Sequence, residues 1–220
     1  MENTSHTFGK RALVKKAWAR FKEEPGTIII GFFIAQLIGN ALGQIGQYIQ
    51  PENVISSIIS FVLVIAGAGL SIWMGLGMIN FMLKGIRGEE FDIEDLFAIR
   101  SGKIIWPAIV ASILMGLAIF FGFIALIIPG IILSIMFMFT IYIIIDKKGS
   151  IGAVEAMKES ARLTKGYRWQ LFLLGLLLGL VNLLGLLALI IGLLVSIPVT
   201  LITTAYAYEH LKKVNGGAQA

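Results

Sequence analysis

The chain has no cysteine, which excludes a disulfide framework and a thiolate metal site and removes any inference about redox compartment. Histidine is almost as scarce, with only His6 and His210. The sequence also lacks a His-Glu-x-x-His pair, a Gly-x-Ser-x-Gly elbow and a glycine-rich phosphate loop. No catalytic residue, metal-ligand set or cofactor is therefore expected, and the chain reads as a non-enzyme. Charge is the third shortage. Charged residues make up 14% of the chain, against about 25% in soluble domains. The stretches 27–49, 54–83, 104–145 and 169–208 contain none at all. Ion-coupled pumps and voltage sensors carry Asp, Glu, Lys or Arg inside the membrane, so a proton-driven transporter is not expected either.

What replaces charge is apolar length. Hydrophobic residues make up 57% of the chain, and mean hydropathy is +0.88. The runs 104–145 and 169–208 are each about twice the roughly 20 residues a helix needs to cross a bilayer. The expected fold is an all-α, polytopic membrane helical bundle, with residues 1–220 forming a single membrane domain. Six transmembrane helices are predicted as three hairpins, at about 27–49, 54–83, 104–128, 131–145, 169–189 and 193–211. Pro25-Gly26, the turn Gln50-Pro51-Glu52-Asn53, Pro129-Gly130 and Gly192 provide the breaks. The second span is longer than the membrane is thick and must tilt, project or bend, with Gly67-Ala68-Gly69 the place to bend.

A short amphipathic helix is expected before each hairpin. Residues 1–8 form a polar, frayed tail. Over residues 9–24, Leu13, Val14, Ala17, Trp18 and Phe21 share one face, with Lys10, Lys15, Lys16, Arg20 and Lys22 mostly around the other. Such a helix lies in the membrane interface. Ahead of the second hairpin, Asp92 can cap a helix that has Glu94 and Asp95 in its first turn. The first 26 residues hold six Lys/Arg and no apolar core, so no cleaved secretory signal is expected.

Lys/Arg number six before the first span, four between the second and third, six between the fourth and fifth and two after the sixth. The opposite turns have none, so both termini are expected in the cytoplasm of a multi-pass cell (inner/cytoplasmic) membrane protein. The net charge of +5 is read as orientation, and no nucleic acid is expected as a partner.

The polar island from Asp146 to Trp169, DKKGSIGAVEAMKESARLTKGYRW, separates the two long runs. It carries Ala156-x3-Ser160-x2-Leu163-x-Lys165-Gly166 and then Trp169-x-Leu171-Phe172. With Phe91-Asp92-x2-Asp95-Leu96-Phe97 and Ile128-Pro129-Gly130, this pattern resembles a broad group of six-span prokaryotic integral membrane proteins. Most of that group is uncharacterised, and it includes the membrane-anchor domain of some glycerophosphodiester phosphodiesterases. The resemblance covers most of residues 10–210 and implies a fold far more than a function. No counterpart of the phosphodiesterase catalytic domain is present, so that activity does not carry over.

Two sets of side chains are candidates for function. On the first span, Gln36, Asn40 and Gln44 recur every four residues with Gln47 close to the same stripe, beside a small-residue face of Ala35, Gly39 and Gly43. Such residues either pack helices together or line a polar cavity. Each hairpin with the amphipathic helix before it reads as one copy of a weak threefold repeat, and Asn182, about as far into the fifth span as Asn40 is into the first, is a candidate partner across that repeat. Gly67, Ser71 and Gly75, and likewise Gly175 and Gly179, read as packing faces. On the island, Lys158, Arg162 and Lys165 stack at helical spacing and Arg168 and Trp169 anchor its end, opposite an apolar face of Val154, Met157 and Ala161. This basic stripe is read either as a contact for anionic lipid headgroups or a partner, or as topology and solvation alone. Asp146 is read as the end of the fourth span and a cap for the next helix. The expected function is that of a membrane scaffold or a lipid- or envelope-associated factor. Membrane lipids are the expected partners, with a homo-oligomer or a cytoplasmic-side protein as a further one. The alternative is a passive transporter or channel for a small solute or lipid, using the stripe on the first span.

Overall fold

The apolar runs become helices because a backbone in hydrocarbon has no water to bond and must satisfy its own amides and carbonyls. The computed structural model describes residues 9–50, 52–188 and 192–217, with side chains through residue 215. The predicted tail over residues 1–8, Pro51 of the predicted first turn and Leu189 at the end of the predicted fifth span lie outside them. Among the described residues there is no strand. The helices are α1 (Lys10–Glu23), α2 (Pro25–Tyr48), α3 (Val54–Arg87), α4 (Gly102–Ala125), α5 (Ile127–Phe137), α6 (Thr140–Asp146), α7 (Ala153–Leu163), α8 (Arg168–Leu187) and α9 (Leu193–Gly217), with a 3-10 turn at Ile93–Phe97 before α4.

Among the described residues, five helices are long and apolar enough to cross a membrane: α2, α3, α4, the run Ile127–Asp146 and α8. The predicted sixth span falls in α9, which is not among the five. Its apolar half begins only at Leu193, and the helix continues through Glu209, His210, Lys212 and Lys213. The predicted fourth span also shifts. Its 15 residues from Ile131 become a 20-residue run from Ile127, because α4 stops at Leu126 (φ −167°, ψ 154°) and Pro129 sits in the first turn of α5. Proline is tolerated there, since the first amides of a helix have no intrahelical partner. α3 remains one 34-residue helix through Gly67-Ala68-Gly69.

Consecutive helices pack on each other, α2 on α3, α4 on α5 and α8 on α9. α2 and α3 come closest where Gly43 faces Gly67, and a Cβ on Gly67 would collide with the Gly43 backbone. Ser71 Oγ donates to the Gly39 carbonyl at 2.5 Å and Ser60 Oγ to the Gly46 carbonyl at 2.6 Å, joining the same two helices. Gly75, Gly175 and Gly179 depart from the expected packing, because nothing lies within 4 Å of a Cβ placed on any of them.

The core sits at the end of the bundle where the charges gather. It contains Phe81 and Leu83 of α3, Leu96 of the 3-10 turn, Phe139 just before α6 and Ile144 within it, and Ala205 and Leu211 of α9. α1 packs mainly against α9, with Ala17 and Phe21 buried and Trp18 44% exposed at the edge of the apolar face. The 3-10 turn docks on one face of α3. Trp73 Nε1 donates to the Ile99 carbonyl at 2.6 Å and Lys84 pairs with Asp95 at 2.6 Å. Between these, the Leu96 carbonyl lies so close to Gly77 that no side chain fits there. Asp92 caps the turn, accepting from the Ile93 amide, while Asp95 accepts from the Asp92 amide.

Candidate functional site

A cavity of about 360 Å³ lies between α2, α3 and α9, with Tyr142 of α6 beside it. That size is within the range of small-molecule and cofactor sites, about 300–1,000 Å³. Its surface is mostly apolar. Met74, Met78 and Met82 recur at helical spacing along α3, so all three line the cavity, with Phe32 opposite and Ile197 and Leu201 from α9. Methionine is flexible and polarizable, and a wall built from it adapts to irregular apolar guests. Over residues 71–82 the cavity follows α3 for about 16 Å, at 1.5 Å per residue.

Of the predicted amide stripe, Gln36 and Asn40 reach this cavity. Both are exposed and stand at its rim, and Asn40 Nδ2 donates to the Gln36 carbonyl one turn back at 2.8 Å. Gln44 and Gln47 continue the stripe as exposed residues outside the cavity. The small-residue face does pack, with Ala35 and Gly39 buried, so the amides and the small residues divide the helix between them. Asn182 is not brought to Asn40. Its Oδ1 accepts from Thr200 Oγ1 of α9 at 3.3 Å, a pairing within the α8–α9 pair. Sequence reasoning misses the methionine wall, although its signal, Met at every fourth position of α3, is present there.

The island after α6 differs in detail from its sequence reading. Asp146 caps no helix, because Lys147 ends α6 and Gly152 begins α7. Its carboxylate instead accepts from Arg87 Nη2 at 2.7 Å, Tyr208 Oη at 3.0 Å and Lys212 Nζ at 2.5 Å. Arg87 also pairs with Glu209. Asp146 is 13% exposed, and it ties the ends of α3, α6 and α9 together. A carboxylate with four acceptor sites suits this convergence.

α7 buries a different face from the one predicted. Ala153, Ala156, Ser160 and Thr164 are the buried positions, while Val154 is 53% exposed and Met157 and Ala161 are only half-buried. Small side chains win because α7 packs closely against α4, α5 and α6 and Ser160 has a particular task. Its Oγ donates to the Met136 carbonyl at 2.7 Å and accepts from the Phe139 amide at 3.2 Å. These two backbone groups flank the interruption between α5 and α6, and a buried backbone group without a partner is costly. Lys158, Arg162 and Lys165 are all exposed on the opposite side. Trp169 is 67% exposed, and Arg168 is half-buried beside it. Arg168 and Trp169 line a separate apolar groove of about 380 Å³ with Ile128, Ile132 and Phe172.

Among the described residues no group of three or more His, Asp or Glu could hold a metal ion. No curated protein and no solved structure matches the chain. A family match does exist, and it runs from the second half of α4 into α9, taking in Asp146, Ser160 and the basic stripe but not α1, α2 or α3. It carries no link to the glycerophosphodiester phosphodiesterase anchor. What the chain is similar to, over residues 120–215, is a family described as a protein of unknown function (DUF975).

Proposed function

We propose that this is a non-enzymatic, six-span integral membrane protein of a cytoplasmic membrane that binds a lipid or other amphiphile within the bilayer. In this reading α9 supplies the sixth span, the three packed pairs are membrane hairpins, and both termini and the charged end face the cytoplasm. The supporting regularity is that no Lys/Arg lies in the connection between the two helices of any pair: all eighteen fall outside the pairs or near the outer ends of their helices. The observation that carries the function is the methionine-walled cavity with Gln36 and Asn40 at its rim. An apolar guest is stabilised along Met74, Met78 and Met82, and a polar head or carbonyl meets the two amides. A scaffold role is added if the occupied bundle is what partners recognise on its cytoplasmic face.

Gly75 offers a clean test. It lines the cavity and a Cβ there meets nothing within 4 Å, so Gly75→Phe fills the space without displacing backbone. Purified protein in lipid nanodiscs is exposed to a lipid with a photoactivatable acyl chain, and labelled residues are mapped by mass spectrometry. Labelling centred on Met74–Met82 that disappears in Gly75→Phe supports the proposal. Labelling spread evenly over the lipid-facing helices, or unchanged in the variant, overturns it.

A second reading, passive passage of a small solute, draws on the exposure of all four amides, Gln36, Asn40, Gln44 and Gln47. Solute flux through reconstituted protein that is lost in Asn40→Leu at unchanged melting temperature favours passage over binding. A protein that carries no flux returns the cavity to a binding role.

A further inference from the structure

A second cavity, of about 690 Å³, opens at the charged end between α3, the start of α4 and the turn after α6. Its lining is unlike that of the first. Four cations, Lys84, Arg87, Arg100 and Lys148, stand against two carboxylates, Glu89 and Asp146. Two of the cations are committed. Lys84 is held by Asp95, and Arg87 by Asp146 and Glu209. Arg100 uses only Nε, donating to the Phe97 carbonyl at 3.3 Å. Its Nη groups and the Lys148 ammonium have no side-chain partner among the described residues.

The backbone holds these two cations in place. Lys148 adopts a left-handed conformation (φ 51°), followed by Gly149 in the same region (φ 70°). A lysine there is uncommon, and the turn is fixed by its neighbours. Pro107 has no amide to give to the Lys103 carbonyl one turn earlier in α4, and the Gly149 backbone packs against that carbonyl so closely that a Cβ would collide with it. Lys148 is thereby set beside the start of α4. There the Ser101 hydroxyl makes no capping bond, and the first amides of the helix lack intrahelical partners. The other walls are Asn80, whose amide donates to the Asp95 carbonyl at 3.4 Å, and the apolar Leu83, Ile99, Ile104 and Ile145.

We infer that this cavity binds a phosphate group, presented by an anionic lipid headgroup or by a soluble phosphate compound, with Arg100 and Lys148 as its principal ligands. The guanidinium can chelate two phosphate oxygens, and the ammonium adds a point charge. Ser101 lines the same cavity and its hydroxyl can donate to the same group. Arg100 and Lys148 are exposed like Lys158, Arg162 and Lys165 of the α7 stripe, but they line a cavity whereas the stripe lies on an open helix face. It does not depend on the α2–α3–α9 cavity being occupied.

The test uses the full chain in nanodiscs of phosphatidylcholine, titrated with phosphatidylglycerol in one arm and with inorganic phosphate in the other. Bound species are counted by native mass spectrometry. The double variant Arg100→Gln/Lys148→Gly should weaken binding about thirtyfold, since each basic residue beside an anionic group contributes roughly fivefold. Lys158→Gln/Arg162→Gln should leave binding unchanged. Lys148→Gly removes charge while easing the backbone, and Arg100→Lys, which keeps the charge but loses the two-point contact, should bind more tightly than Arg100→Gln and more weakly than the unaltered chain. That pair of variants separates lost charge from lost fold. Saturable binding of phosphatidylglycerol alone identifies a headgroup, and displacement by inorganic phosphate identifies a soluble ligand. Equal loss from the α7 variant, or undiminished binding in the double variant, overturns the inference.

Discussion

The charged end of the bundle is packed across the helix pairs, whereas the charge-free end is packed closely only within them. At the charged end Phe81, Leu83, Phe139, Ile144, Ala205 and Leu211 are almost fully buried. Toward the other end large side chains such as Leu37, Ile45, Phe61, Phe120 and Leu187 are half or more exposed. Polar bonds show the same division. Those that join different helix pairs gather at the charged end: Trp73 to Ile99, Arg87 and Lys212 to Asp146, Ser160 to the α5–α6 interruption and Asn215 to the Leu163 carbonyl. Toward the open end the bonds, Ser60 to Gly46 and Thr200 to Asn182, stay within a pair. Hydrophobicity therefore does not close this bundle. Lipid tails are as apolar as leucine, and helix association in a membrane rests on close packing and polar contacts.

The contrast can be broken most severely at Gly77. Gly77→Val places a side chain against the Leu96 backbone and should cost about 3 kcal/mol or more, read as a large fall in melting temperature in detergent. Ser160→Ala should come next. Removing one hydroxyl strands the Met136 carbonyl and the Phe139 amide, at about 2 kcal/mol. A retained melting temperature would show that the α5–α6 interruption needs no partner. Asp146→Ala releases Arg87, Tyr208 and Lys212 together. The two cations are partly exposed, so solvent screening limits the cost to about 1–2 kcal/mol. Combining it with Lys212→Ala should give less than the sum of the single effects. The smallest effect is expected at the open end. Gly175→Ala and Gly179→Ala meet no neighbour and should leave the melting temperature unchanged or slightly raised, by at most about 1 kcal/mol per site. A marked loss there would mean that a second copy or another chain packs on α8.

Much of the helix layout is legible in residue order because composition and local breakers dictate it. Pro25, Pro129 and the charged islands bound the helices to within a few residues, and Asp92 caps its turn where its position predicts. Helix faces are less legible. The α7 periodicity points to Val154, Met157 and Ala161, but the buried face is Ala153, Ala156, Ser160 and Thr164. Hydrophobicity ranks side chains by their dislike of water, whereas close packing selects for small ones. Ser160 is visible in the sequence only as part of a motif. Its partners lie 24 and 21 residues away, a separation that periodicity does not encode. Asp146 escapes sequence reading for the same reason, since its partners come from helices distant in the chain.

The sequence by itself determined the apolar runs, the islands of charge between them and the helices that both imply, because backbone satisfaction and charge burial are decided residue by residue. Only the tertiary structure decided which faces meet, that Asp146 joins three helices, that the methionines of α3 become a cavity wall, and that Arg100 and Lys148 come to share a cavity. Each of these depends on how closely two backbones approach, and that distance is set jointly by residues far apart in the chain.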